Sequence, residues 1–71
     1  MSVNWIPVIS SNLADVSYDI ASRNLYIRFR SSGAYVYYDV PQNVYTGLIN
    51  APSKGEYHAQ FIKNHYRYSK I

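Results

Sequence analysis

Tyr26, Arg28 and Arg30 alternate along Leu25–Arg30, and Tyr35 and Tyr37 alternate along Ala34–Tyr38. Rings on a strand can stack nucleobases, at about 1–3 kcal/mol per base. Arginines beside them would contact phosphates or stack in their turn. If Val36 joins the core, Tyr35 and Tyr37 project beside Tyr26, Arg28 and Arg30. One wet face then carries three tyrosines and two arginines. If Tyr35 and Tyr37 point inward, that platform largely disappears. Ala34, Val36 and Tyr38 make an equally good inner face, so this strand alone leaves its register open. The plainer reading is that tyrosines are good strand formers whose cross-strand pairs stabilise sheets.

A second set lies near the C-terminus. Lys63, Arg67 and Lys70 are spaced i, i+4, i+7, so a continuing helix would align them, with Tyr66 and Tyr68 interleaved. Such an arm would grip phosphates, and Lys54 could add to it. The same residues also suit a solvated helix end, where cations complement the dipole. Ser53 and Lys54 open a helix whose N-terminal donors could hold an anion, although capping accounts for them without a ligand.

Catalytic and metal chemistry find little support. His58 and His65 lie seven apart, about two turns on one side of a helix, and a metal asks for three or four converging ligands. Asp15 and Asp19 share a strand face about 13 Å apart, too far for a carboxylate pair. Ser10, Ser11 and Ser53 have no base beside them in sequence. The expectation is a binding module, not an enzyme, with no cofactor and no metal.

These residues need elements to hold them. Leu13–Ile20 reads as a first strand, with Ala14, Val16, Tyr18 and Ile20 on one face and Leu13, Asp15, Ser17 and Asp19 on the other. Ala21–Asn24 turns the chain. Leu25–Arg30 returns with Leu25, Ile27 and Phe29 on its apolar face, and Gly33 supplies the positive φ of the next turn. After Asp39-Val40-Pro41 the period becomes helical, at Val44, Tyr45, Leu48 and Ile49, and Ala51-Pro52 ends that run. Ser53 and Glu56 fit a capping box. The second helix they open runs to about Tyr66, with Tyr57, Ala59, Phe61, Ile62 and Tyr66 as its apolar positions. Residues 1–10 read as an irregular lead-in that partly packs on the domain, and residues 67–71 show no clear period. The predicted fold is α+β, order β-β-β-α-α, a three-stranded antiparallel sheet with both helices on one face.

Composition bounds the rest. Seventy-one residues make one domain of modest stability, and with no cysteine the core alone must hold it. Nine tyrosines dominate the aromatic content. The formal charge is +3, and all the excess lies in residues 54–71, where Lys54, Lys63, Arg67 and Lys70 face Glu56 alone. That asymmetry suits a polyanionic partner. Neither a signal peptide nor an apolar run of membrane-spanning length is visible, so the expected compartment is the cytoplasm and no membrane partner is expected.

In order and spacing the chain resembles the KTSC domain, a short module named for its place at the C-terminus of some lysyl-tRNA synthetases. The matching elements are Val8-Ile9-Ser10-Ser11, Val16-Ser17-Tyr18-Asp19, Leu25–Phe29, Gly33-Ala34-Tyr35-Val36-Tyr37, Val40-Pro41, Val44-Tyr45, Ala51-Pro52-Ser53-Lys54-Gly55 and Tyr66. They span roughly residues 8–68. The resemblance implies a single KTSC-like domain over 1–71; the family has no established activity, and RNA binding is suggested for it mainly by its synthetase context. The expected partner is therefore RNA or single-stranded nucleic acid. A protein partner, or self-association through the same tyrosine-rich face, is the alternative. The oligomeric state is left open.

Overall fold

The computed structural model describes residues 3–71. Its strands are β1 (Ile6–Pro7), β2 (Leu13–Asp19), β3 (Asn24–Phe29), β4 (Gly33–Tyr37) and β5 (Tyr68–Lys70). Between β4 and β5 lie α1 (Gln42–Asn50) and α2 (Lys54–Tyr57), which runs straight into a π-helical turn, His58–Ile62. The α+β class and the two helices are as predicted. The sheet is larger, with five antiparallel strands in the order β1-β2-β3-β4-β5 instead of three. Both added strands are short edges. Two residues including Pro7, and three residues after a turn, are too little for a period-two pattern to stand out.

Register decides what each face carries. Directly opposed residues of an antiparallel pair project to the same side. Leu25 opposes Tyr37 and Ile27 opposes Tyr35, so both tyrosines share the face of Leu25, Ile27 and Phe29. Val36 is buried as well, but it lies in the row Ser17, Tyr26, Val36, Ser69 on the opposite face. In β2 the register shifts between Leu13 and Asp15. That bulge brings Leu13 to the apolar face with Val16, where strict alternation would have placed Ala14. Leu13 is fully buried, and Ile20 is exposed in the turn beyond the strand.

The core joins Leu13, Val16, Leu25 and Ile27 of the sheet to Leu48 of α1 and Ile62 of the π-turn, all fully buried. Each such side chain contributes about 1.5–3 kcal/mol of transfer free energy. Tyr18 stacks on Tyr45 at 4.9 Å between centroids, and its hydroxyl donates to the Val40 carbonyl. α1 ends at Ala51, which is extended as a residue before proline must be. The Ser53 hydroxyl accepts from the Glu56 amide at 3.4 Å, the cap expected from sequence.

The second helix stops well short of Tyr66. The Lys63 amide closes a wide turn on the His58 carbonyl at 2.8 Å, and Asn64 adopts φ +67°. A non-glycine residue in that region turns the chain sharply. The chain then returns along β4 as β5. Lys63, Arg67 and Lys70 therefore do not line one helix face, and His65 is not on a helix with His58. No helix of the described residues is long and apolar enough to cross a membrane.

Candidate functional site

The helices cover the β2–β3 part of the inner face and leave its β4–β5 end partly open. There lies a cleft of about 360 Å³. Its sheet wall is Phe29, Tyr35, Tyr37 and Tyr68, and its opposite wall is His58, Ala59 and Lys63. Asn12, Ser32, Gly55 and Asn64 complete the rim. The rings interlock: Phe29 meets Tyr35 edge-on at 5.8 Å, and Tyr68 lies 6.0 Å from Tyr35 and 5.8 Å from Tyr37. Tyr37 is buried, Tyr35 half-buried and Tyr68 exposed, so the aromatic wall grades from core to solvent.

His58 forms the inner end of the cleft. It is buried, packs edge-on against Phe29 at 4.9 Å, and shares a 2.8 Å hydrogen bond between Nε2 and the Tyr37 hydroxyl. Burial holds its pKa below the usual imidazole value, and the nearby Lys63 charge lowers it further. Burial pushes the Tyr37 phenol up to about 12, with Tyr35 and Tyr68 adding to the rise. Both groups are thus neutral near pH 7, and Lys63 carries the charge. No carboxylate lines the cleft. Among the described residues the ion pairs are Arg23 with Asp39 and Arg28 with Asp15, and neither involves Lys63 or Lys70.

The arginine–tyrosine platform expected on the outer face is not assembled. Tyr26 lies there edge-on to Trp5 at 6.2 Å, but Tyr35 and Tyr37 are on the other side of the sheet. Arg28 sits 4.3 Å over the Trp5 ring with its Nε 3.3 Å from Asp15, and Arg30 donates to the Ser10 carbonyl at 2.9 Å. Lys54 turns back to the Ala51 carbonyl at 3.3 Å, away from any anion site at its own helix. The remaining predicted residues do gather, though in another geometry. Tyr35, Tyr37 and Lys63 line the cleft, and Lys70 stands opposite Tyr35 on β5. Arg67 lies 5.6 Å over the Tyr38 ring just beyond it. Among the described residues no three metal-ligating side chains converge.

Comparison with known proteins settles the family. Residues 9–66 match the KTSC domain. The chain belongs to the KTSC domain family. A crystal structure of a KTSC domain protein from Yersinia pestis is similar at TM-score 0.95 and 34% identity, over 99% of each chain. A protein of Stutzerimonas stutzeri is 38% identical over 63 residues, 87% of this chain and 89% of its own. The lysine–tRNA ligase of Trichormus variabilis is 36% identical over 61 residues, 86% of this chain. The KTSC domain spans only 11% of that ligase.

In this KTSC domain, sequence reasoning missed Phe29, His58, Asn64 and Tyr68 as site residues. Phe29 and His58 read as core and as a lone histidine. Tyr68 carried no local sign either, because a three-residue edge strand is too short to show a period.

Proposed function

We propose that this KTSC domain is a non-catalytic module that binds single-stranded nucleic acid, RNA foremost, through the inner-face cleft. One observation carries the reading: Tyr35, Tyr37, Tyr68 and Phe29 line a cleft with Lys63 and no carboxylate. Unstacked bases are held by aromatic rings, and cations beside the rings take the phosphates. The like segment in lysine–tRNA ligases, proteins named for tRNA, favours RNA of the cytoplasm as the partner. Lys63, Arg67 and Lys70 supply the charge, and the tied-down Arg28, Arg30 and Lys54 do not.

An amide NMR titration with a mixed-sequence RNA decamer tests this. Shifts should cluster on residues 29–37 and 58–70. Affinity should fall with salt at a logarithmic slope of roughly −2, from about 0.7 per phosphate contact. Absence of shifts at millimolar RNA overturns the reading. Docking of a protein, or of a second copy, on the exposed Tyr68 edge would instead give an affinity insensitive to salt.

A further inference from the structure

A second, shallower cavity of about 620 Å³, lined by Tyr38, His65, Tyr66, Arg67 and Ser69, meets the cleft round the β5 edge, where Arg67 and Ser69 belong to the outer-face row. The two cavities share two walls, Asn64 and Tyr68. We propose that they form one continuous track that seats two successive nucleotides of a single strand, with Tyr68 as the divider. The inference rests on the nucleic-acid reading of the cleft and adds its site size.

Three features support the track. Each cavity falls within the roughly 300–1,000 Å³ of small-ligand sites, so each has room for one base-sized group. Each also carries its own flat surface. The cleft has Tyr35 and Tyr37, and the second cavity has the Arg67 guanidinium already laid over the Tyr38 ring at 5.6 Å. Bases stack on arginine planes as well as on aromatic rings. Finally, the cations follow the path. Lys63 lines the first cavity and Arg67 the second, and no carboxylate lines either. The left-handed turn at Asn64 is what separates Lys63 from Arg67 and aims them at neighbouring cavities, where a continuous helix would have stacked them on one face.

The test is a length series by calorimetry at low salt with uridine monophosphate, a uridine dinucleotide bearing a 5′-phosphate, and the corresponding trinucleotide. The dinucleotide should bind about five- to 100-fold tighter than the mononucleotide, the gain of one stacked base. The trinucleotide should add less than about threefold, since each of the two cavities seats one base. Arg67→Ala, at an exposed position, should weaken the dinucleotide far more than the mononucleotide and narrow the ratio of the two affinities to less than about threefold. Equal affinity for mono- and dinucleotide, or an Arg67→Ala variant that binds the dinucleotide normally, overturns the track and leaves the single-cleft reading standing. If neither these ligands nor the RNA decamer binds, both fall. Displacement of the dinucleotide by a glutamate hexapeptide at equal concentration would reassign the track to an acidic protein segment and overturn it too.

Discussion

The inner face of the sheet is built in two halves. At β2–β3 it is aliphatic, and Leu48 and Ile62 close over it completely. At β4–β5 it is aromatic, and the cover stops at His58, so the cleft stays open. Leucine and isoleucine left half-covered would lose transfer free energy without any polar compensation. Tyrosine tolerates the boundary, since its ring packs and its hydroxyl can stay wet or find a partner. The same face can thus be closed core at one end and an open aromatic cleft at the other, with no change of secondary structure. The outer face teaches the converse. Its cations are fixed to Trp5, Asp15 and Ser10, and they tie the N-terminal segment to the sheet instead of waiting for a ligand.

Substitutions can break this contrast. The largest effect should come from the covered half: Leu25→Ala should lose about 2–5 kcal/mol through transfer and cavity terms, read from urea unfolding. Gly47→Ala should cost about 1–3 kcal/mol by overpacking. A Cβ there would sit 2.8 Å from Tyr57 Cζ, so the ring that closes α2 against α1 must move. Wild-type stability for Gly47→Ala would mean that the cover is looser than described.

At the boundary, Tyr37→Phe should cost about 1–3 kcal/mol, because His58 Nε2 loses its partner in a buried place. RNA affinity should stay within about threefold, since the ring remains for stacking. A large affinity loss with unchanged stability would instead make the hydroxyl a ligand contact.

Two pH limits follow from the same pair. His58 has a folded pKa below its usual 6.5, so the unfolded chain takes the proton more readily. Stability from this group is complete above pH 6.5 and is lost as pH falls through the lower folded value. For Tyr37 the sign reverses. The folded value of about 12 lies above the usual 10.0, so its contribution is present below pH 10 and lost as pH rises towards 12. Urea midpoints measured at pH 5, 7.5 and 10.5 should peak in the middle, and a His58→Gln variant should flatten the acid side. The smallest effect belongs to the outer face. Arg28→Ala should cost less than about 1 kcal/mol and leave RNA affinity unchanged, and an affinity loss there would move the ligand contacts from the cleft to the outer face.

Much of this was legible along the chain. The three long strands, the turn at Gly33, the helix from Pro41 and the Ser53 cap all follow from local pattern and cap chemistry. So does the gathering of charge in the last eighteen residues. Phe29 and His58 carried no local sign of a site, because their neighbours in the cleft come from distant parts of the chain.

Sequence by itself thus determined the residue types, the alternation of β3 and two helical core positions, Leu48 and Ile62, whereas Ile49, Ala59 and Phe61 at the same spacing are exposed. Tertiary structure alone decided which way Tyr35 and Tyr37 point. In β4 either alternate set could be buried, and pairing with Leu25 and Ile27 selects one. Tertiary structure also decided the fate of the C-terminal cations. Three cations at i, i+4, i+7 give a helix no support of their own, since like charges four apart repel by a few tenths of a kcal/mol. Pairing of residues 68–70 with 35–37 satisfies backbone groups of both strands, and nothing local opposes it.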